Sequence, residues 1–260
     1  MNNDVIIPAA TILLLRDRPD LEVLMIERHA NIGFAGGALV FPGGRIEKSD
    51  ADAQWRDHAN GLPENTAMAA GMVAAAREAF EETGILYARD QKGAFVSKEC
   101  VAELQAERPA IEANDRLFLE MIVRENLSLA CDGFVLFAHW VAPPAMHKRF
   151  DTLFFATLAP DGHDPQPDGN EATEALWIGP QDVLKARASG ERKVIFPTAR
   201  NVELLARSAT ARGVLADAGR RPIERIEPTV VKREDGMFLT IPDTLGYPIT
   251  EEELSSAERG

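Results

Sequence analysis

Apolar and polar positions along the chain divide it into short strand-like runs and longer helix-like stretches. Runs rich in Val, Ile, Leu and Phe that end at turn residues predict strands, because alternating or continuous apolar runs of about 4–8 residues are typical of them. The predicted strands span residues 9–15, 21–28, 38–41, 134–141, 152–158 and 175–178. A final alternating segment, 227–241, turns around Asp235-Gly236 and predicts a β-hairpin.

Helical spacing is clearest between residues 66 and 83. Asn65 and Thr66 are typical helix start signals, and Gly84 is expected to end the helix. An apolar stripe runs along one side of it, formed by Met72, Ala76, Ala79 and Phe80. Further helices are predicted at 98–127 with a break at Pro109, at 180–188 and at 197–212. The Pro-, Gly- and Asp-rich segment 161–170 predicts a loop.

Acidic residues collect near the predicted end of the 66–83 helix. Glu78, Glu81 and Glu82 share one face, although a helix dipole favours cations at its C-terminus. Glu78 and Glu82 also form a like-charge i,i+4 pair, which Arg77 can relieve only in part through Glu81. Two interpretations follow. The glutamates form a solvated polar face opposite the apolar stripe, or they hold a divalent cation.

The surrounding motif favours the second interpretation. Phe41-Pro42-Gly43-Gly44-Arg45 follows a strand and predicts a Gly43-Gly44 loop, and Arg77-Glu78-Ala79-Phe80-Glu81-Glu82-Thr83-Gly84-Ile85 ends the helix. Together they resemble the box of the Nudix hydrolase family, Gly-x5-Glu-x7-Arg-Glu-U-x-Glu-Glu-x-Gly-U, where U is a bulky apolar residue. Counted forward from Gly44 the first box Glu falls on Asp50, and counted back from Arg77 it falls on Ala69. The difference, 69 − 50 = 19 residues, indicates an insertion near 51–69.

A box split in this way is similar to the family branch that includes peroxisomal coenzyme A diphosphatases. Segments 27–29, 148–155, 171–177 and 196–201 also resemble that branch. The resemblance implies an α/β fold, a Nudix α/β/α sandwich with a mixed sheet, a helical insertion and the C-terminal hairpin. It implies a Nudix domain over 1–220, with insertions near 51–69 and 98–127, and an extension over 221–260.

The function that the resemblance implies is metal-dependent hydrolysis of the diphosphate bond in a nucleoside diphosphate linked to another moiety. Coenzyme A or acyl-coenzyme A is the first candidate substrate. The alternatives are an ADP-ribose or dinucleotide pyrophosphatase, and a nucleotide-sensing module that does not cleave. The complete set of Glu78, Glu81 and Glu82 argues against a pure sensor, which has no need of hydrolytic ligands.

The expected cofactor is Mg²⁺ or Mn²⁺, which prefers oxygen ligands and is usually shared with substrate phosphates. Its expected ligands are Gly44, Glu78, Glu81 and Glu82, and Arg77 is expected to hold a glutamate in register. The general base could come from Glu171 or Glu174, which could equally form a solvated loop end. Asp50 either replaces the missing box glutamate or, as we slightly favour, caps the inserted segment.

The candidate substrate-binding residues are Arg28, Gly43, Gly44, Arg45 and Arg149. Arginine forms planar bidentate contacts with phosphates, and two glycines allow the backbone a close approach. Each arginine could also be an ordinary surface charge. Trp55 and Phe34 could stack on an adenine, although packing is the favoured interpretation. The inserted segment 51–69 either sets the substrate or is a surface elaboration.

Composition narrows the class of partner. A net charge of −13 argues against a general nucleic-acid or membrane-surface binder, because the basic footprint is missing. Two cysteines, Cys100 and Cys131, are too few for a disulfide framework, and the five histidines show no paired ligand spacing. The sequence predicts neither a signal peptide nor an apolar run long enough to span a membrane. We therefore expect a cytoplasmic protein acting on a small nucleotide diphosphate, and a homodimer remains open.

Overall fold

The computed structural model describes residues 5–31, 35–144 and 148–259. Its strands are β1 (Ile6–Asp17), β2 (Leu21–Arg28), β3 (Leu39–Val40), β4 (Gly43–Arg45), β5 (Ala88–Arg89), β6 (Ser128–Leu129), β7 (Val135–Val141), β8 (Arg149–Leu158), β9 (Ala172–Ile178), β10 (Arg225–Ile226), β11 (Thr229–Arg233), β12 (Gly236–Thr240) and β13 (Glu251–Glu253). Its helices are α1 (Trp55–His58), α2 (Thr66–Thr83), α3 (Lys98–Leu104), α4 (Arg108–Ala113), α5 (Arg116–Arg124), α6 (Pro180–Ser189), α7 (Phe196–Leu205), α8 (Ala211–Arg220) and α9 (Leu254–Arg259).

An eight-stranded mixed sheet forms the centre of the fold. Its main path runs β10-β7-β8-β1-β2-β3, while β4 pairs with β1 and β9 pairs with β2. Strands β1 and β8 are parallel from Ile6 opposite Arg149 to Leu15 opposite Leu158. The β1–β2, β1–β4, β2–β9 and β7–β8 pairs are antiparallel. This arrangement brings the short Gly43–Arg45 strand alongside the middle of β1.

Strand β1 separates two apolar cores. Ile12 and Leu14 pack into the core formed with α2 and α3–α5, whereas Leu13 and Leu15 pack into the core formed with α6–α8. Successive side chains of a strand point to opposite faces of the sheet, so a continuous apolar run fits a sheet covered on both sides. The predicted α/β/α sandwich is confirmed. Among the helices in the described parts of the chain, none has the length and apolar character needed to cross a bilayer.

Helix α2 begins and ends where the sequence predicts. The Asn65 side chain caps its start by accepting from the Met68 amide at 3.1 Å. Gly84 ends it in the left-handed region at φ +71°, with its N–H bonded to the Phe80 carbonyl at 2.9 Å. Met68 and Phe80 face the core on the sheet side, so the helix crosses the sheet with little of its surface in water.

Three predictions of local structure need correction. The helix predicted at 197–212 is two helices, α7 and α8, because Thr210 starts a new one by accepting from the Gly213 amide at 3.1 Å. The 98–127 stretch is three short helices, with Pro109 in the first turn of α4, where its missing N–H costs nothing. The predicted Gly43-Gly44 loop is part of strand β4.

The two additions to the box domain are both packed into it. In the 51–69 insertion, Trp55 is buried, donates to the Ser49 carbonyl at 2.8 Å and lies 5.8 Å from the Phe118 ring. Trp55 thus anchors the insertion to the core, and the role of the insertion in substrate choice stays a prediction. The predicted C-terminal hairpin is confirmed as β11–β12 and gains β13 as a third strand. Leu239 and Tyr247 of this extension share the core of α6–α8.

Candidate functional site

The three box glutamates are buried at the last turns of α2. Glu78 and Glu81 are each 9% exposed, and Glu82 is 3% exposed. The reason is that α2 packs against β1 and β4 on one side and against α4 on another, so its polar face meets protein rather than water. The interpretation of these residues as a solvated polar face is wrong.

Arg77 is the centre of the buried charges. Its Nε and Nη2 donate to the two oxygens of Asp50 at 2.9 and 3.0 Å, and its Nη1 donates to Glu78 at 2.9 Å and to Glu81 at 2.8 Å. Nη2 also reaches the Arg45 carbonyl at 2.9 Å. The planar guanidinium thus ties α2 to β4 and to the 3₁₀ turn at Ser49–Ala51. It fixes the orientation of two of the three glutamates.

Asp50 is one of the two positions at which the interrupted box could place its first glutamate. It is 2% exposed, its carboxylate holds Arg77, and its Oδ2 also accepts from the Glu47 amide at 2.8 Å. The bond from the Glu47 amide is a local capping contact, so the capping role that sequence reasoning slightly favoured stays a prediction. Its pairing with Arg77 favours the alternative, in which Asp50 stands for the missing box glutamate.

Strand β4 lies so close to α2 and β1 that a side chain at either of its first two residues would collide with them. A Cβ on Gly44 would stand 2.5 Å from Glu78 Oε1, and one on Gly43 would stand 2.6 Å from the Ala10 carbonyl oxygen. The Gly43 N–H donates to Glu82 Oε2 at 2.7 Å. The two glycines therefore bring main-chain groups directly onto two of the carboxylates.

Burial makes these carboxyl groups difficult to ionise. Desolvation raises the pKa of Glu78 to about 8, although the charge of Arg77 opposes the shift. Burial likewise raises the pKa of Glu81, and it raises that of Glu82 well above its ordinary value, with Glu78 adding to the effect. For Arg77, burial acts to lower the pKa, but the surrounding carboxylates raise it overall. If all of these carboxyl groups were ionised, the site would hold more negative charge than Arg77 neutralises.

A divalent cation fits this set of donors. Glu82 Oε1 is buried and has no hydrogen-bond partner, and three carboxylates with a main-chain strand beside them are the oxygen donors that Mg²⁺ and Mn²⁺ prefer. Across the described ranges, no three His, Cys, Asp or Glu side chains are already gathered as metal ligands. In this conformation Arg77 Nη1 is shared between Glu78 and Glu81, so a cation would draw these oxygens away from Arg77.

Arg28 and Glu171 lie at the edge of the carboxylate cluster. Arg28 Nη1 is 3.8 Å from Glu82 Oε1, and its Nη2 is 4.0 Å from Glu171 Oε2. Arg28 Nε is buried without a hydrogen-bond partner, and the Glu171 side chain is 47% exposed. Asp168 Oδ1 accepts from the amides of 170–172 and so holds the loop end that carries Glu171. Both residues are thus placed beside the site.

The other predicted residues lie apart from the cluster. Glu174 is paired with Arg192, which also contacts Glu27. The Arg45 side chain is exposed, and only its carbonyl reaches Arg77. The structure does not support the assignment of Arg149 to phosphate binding.

The Arg149 side chain is already bonded to groups outside the carboxylate cluster. It is buried at the start of β8, donates to the Ala142 carbonyl at 2.9 Å and pairs with Glu227 at 2.6 Å. Of the two stacking candidates, Trp55 packs in the core, and Phe34 lies outside the described residues.

Sequence reasoning missed a residue that contacts the end of α2, Arg108. Arg108 in α4 donates from Nε and Nη2 to the Glu81 carbonyl at 2.9 and 2.7 Å. Because the contact is to a main-chain oxygen 27 residues away in sequence, no local motif announces it. The adjacent Pro109, a helix start signal, was the only nearby hint.

Comparison with known proteins gives consistent matches. The family model described as the NUDT19 Nudix domain matches residues 56–204. The acyl-coenzyme A diphosphatase NUDT19 of Xenopus laevis is 25% identical over 275 residues, covering 88% of this chain and 72% of that protein. The human protein of the same name is 24% identical over 269 residues, covering 85% and 70%. The crystal structure of a NUDIX hydrolase from Alicyclobacillus acidocaldarius superposes with a TM-score of 0.69 at 28% identity, covering 82% of this chain and 97% of the other.

Proposed function

This chain belongs to the NUDT19 Nudix domain family, and we propose that it hydrolyses the diphosphate bond of coenzyme A or an acyl-coenzyme A. The resemblance to Nudix hydrolases that the split box indicated is confirmed, and so is the reaction class, hydrolysis of a nucleoside diphosphate linked to another moiety. The choice of coenzyme A rests on the names of the related diphosphatases from frog and human. Nudix hydrolases generally use divalent metal ions, and we propose Mg²⁺ or Mn²⁺ here.

The single observation that carries the metal proposal is the burial of Glu78, Glu81 and Glu82 around one arginine. We assign these three carboxylates, with the Gly44 backbone, to cation binding. Such a cation, when bound, supplies positive charge that neutralises and orients a diphosphate and helps to activate water. Arg77 positions Glu78 and Glu81, while the Gly43 amide positions Glu82.

Substrate contacts and the general base come from the edge of the cluster in this proposal. Arg28 is assigned to a phosphate oxygen, since its Nε has no protein partner and its guanidinium already faces Glu82. Glu171 is the proposed base, because it is exposed enough to meet water and lies next to Arg28. Glu174 is the weaker candidate, since Arg192 occupies its carboxylate.

Three broader expectations remain proposals. Cys100 and Cys131 are both free thiols, which is consistent with a reducing, cytoplasmic location. A homodimer is proposed only as an alternative to the monomer. The split between a Nudix domain and an extension at residue 220 is also kept as a proposal, although residues of the extension share a core with α6–α8.

A substrate screen with purified protein tests the proposed function. Coenzyme A, an acyl-coenzyme A, ADP-ribose, NADH and a diadenosine polyphosphate are each incubated with Mg²⁺, with Mn²⁺ or with excess chelator. We expect coenzyme A or its acyl ester to give the highest kcat/KM, and turnover to stop in chelator. A preference for ADP-ribose or a dinucleotide would replace the substrate assignment, and full turnover in chelator would remove the metal assignment.

A further inference from the structure

Arg108 is a buried arginine whose side chain ends on the main chain of α2. It is 7% exposed, and its Nε and Nη2 both donate to the carbonyl oxygen of Glu81. The last four carbonyls of a helix have no partner within the helix. Arg108 therefore supplies, from a different helix, the hydrogen bonds that the Glu81 carbonyl lacks.

Other segments hold the same helix end. The Thr83 carbonyl accepts from the Gln166 amide at 2.8 Å, so the loop after β8 is attached there as well. A Cβ on Gly84 would stand 2.7 Å from Gln105 Nε2 and 3.3 Å from Arg108 Nη1. The 105–108 segment thus lies so close to the end of α2 that a residue without a side chain is required.

The charge of Arg108 accounts for the unfavourable placement of acid in the sequence. A helix C-terminus favours a nearby cation, and α2 instead carries Glu81 and Glu82 in its last turn. The guanidinium of Arg108 provides that cation from outside the helix. It also lies within the electrostatic influence of Glu112, on the same helix, and of Asp168, in the loop before β9.

We propose that Arg108 is a positioning residue, which fixes the last turn of α2 and thereby the directions in which Glu81 and Glu82 present their carboxylates to a cation. The inference rests on the proposed metal-dependent function. Its geometric basis is that the contacted carbonyl belongs to one of the assigned ligands. Loss of this contact frees the turn that both ligands share.

Mn²⁺ binding, followed by electron paramagnetic resonance of the purified protein, tests the role directly. The R108Q variant removes the positive charge and most of the contact with the Glu81 carbonyl. The R108K variant keeps the charge but loses the paired Nε and Nη2 donors. The R124Q variant is the control. Arg124 lies exposed on α5 of the same insertion, paired with Glu107 and Glu125. We expect the Mn²⁺ dissociation constant to rise about 10- to 100-fold in R108Q, by less in R108K, and not in R124Q.

A second readout separates positioning from simple folding. The Tm of each variant is measured in chelator, and the Mn²⁺ constant is compared only between folded samples. If R108Q had a lower Tm but an unchanged Mn²⁺ dissociation constant, the inference about Arg108 would be overturned and the proposed function would stand. Absence of Mn²⁺ binding by the unaltered protein would overturn the proposed function and the inference with it. Should R108Q not fold, R108K decides, and an unchanged constant in it overturns the inference.

Discussion

Two clusters of Arg and Glu side chains are buried in this protein, and they differ in charge balance. At the end of α2, one guanidinium, that of Arg77, is bonded to Asp50, Glu78 and Glu81, and Glu82 lies in the same cluster. Three carboxylates thus contact Arg77, and Glu82 beside them has Arg28 at 3.8 Å, so carboxyl groups outnumber arginines in this cluster.

The second cluster joins α7 to the C-terminal extension and is balanced. Arg200 pairs with Glu203 at 2.6 Å and lies 3.4 Å from Glu252, which Arg187 also contacts at 2.5 Å. Two arginines thus meet two glutamates. These contacts connect α6, α7 and β13, and they involve none of the box residues.

The difference indicates what each cluster is for. A buried charge is costly unless a partner neutralises it, so a balanced cluster can serve folding alone. An excess of buried carboxylates is stable only if they stay protonated or if a cation joins them. Burial raises the pKa of Glu78 to about 8, so protonation is the response of the site by itself. Burial also raises the pKa of Glu203 in the second cluster, to about 7, so the distinction between the clusters rests on the number of carboxylates per arginine rather than on the pKa shifts. We infer that the α2 cluster is built for a cation and that the α7 cluster is built for stability.

The same Glu→Gln substitution should give opposite results in the two clusters, and this is the largest expected effect. Glu82→Gln removes a cation ligand and should lower kcat by about 100-fold or more. It should leave the unfolding free energy unchanged or raise it by about 0.3–1 kcal/mol, because it removes acid from a helix C-terminus. Steady-state turnover and urea unfolding measure the two quantities.

Glu203→Gln is the matched control. It should keep turnover and, when unfolding is measured near pH 5, lower the unfolding free energy by about 1–3 kcal/mol, since it weakens a hydrogen bond to a buried arginine. Equal losses of turnover in both variants, or an unfolded Glu82→Gln protein, would remove the distinction between the clusters.

The central arginines offer a second contrast. Arg77→Lys keeps the charge but loses the fork that reaches five acceptor atoms, so turnover should fall about 10- to 100-fold and stability by about 3 kcal/mol. Arg200→Lys should change stability alone. Turnover is compared at saturating metal, and stability by thermal unfolding. An Arg77→Lys enzyme with normal turnover would show that the orientation of Glu78 and Glu81 is unimportant.

Substitutions at two adjacent glycines should distinguish an effect on the site from an effect on the fold. A Cβ on Gly44 meets the movable carboxylate of Glu78, so Gly44→Ala should lower turnover about 10-fold with a small change in stability. A Cβ on Gly43 meets the main chain of Ala10, so Gly43→Ala should mainly destabilise the protein, by about 1–3 kcal/mol. The reverse order of effects on kcat and Tm would contradict the assignment of Gly44 to the site.

The smallest expected effect is the pH dependence of the balanced cluster. Burial raises the pKa of Glu203 to about 7, from an ordinary value near 4.5. Between these values the folded protein keeps a proton that the unfolded chain has released, so this contribution to stability falls as pH rises from about 4.5 to 7. The slope is up to about 1 kcal/mol per pH unit. Unfolding free energies of the unaltered protein and Glu203→Gln should converge towards pH 7, and parallel curves would contradict the shift.

Much of the fold and the core of the site follow from local sequence signals. Helix α2 has a capping Asn65 and a Gly84 stop, and the hairpin turns at an Asp-Gly pair, so spacing alone placed both. The order of the carboxylates in the box likewise indicated a site. The sequence did not predict that the glutamates are buried. An acidic helix face is interpreted as solvent-exposed unless the elements that cover it are known.

The remaining errors concern contacts between distant segments. Arg149 follows a motif that suggested phosphate binding, but Glu227 of the extension occupies it. Asp50 reaches Arg77 across 27 residues, and Arg108 reaches the Glu81 carbonyl across the same number. Such pairings depend on how α4, β4 and the extension pack, and no local pattern encodes them.

Diffraction from crystals soaked in Mn²⁺ tests the central claim most directly. The anomalous signal of Mn²⁺ locates the ion independently of activity, and carboxylate oxygens should lie about 2.0–2.3 Å from it. The account predicts one peak at the end of α2, bonded to oxygens of Glu78, Glu81 and Glu82, and none at the Arg200 cluster. No peak at α2 at a Mn²⁺ concentration that saturates turnover would contradict it.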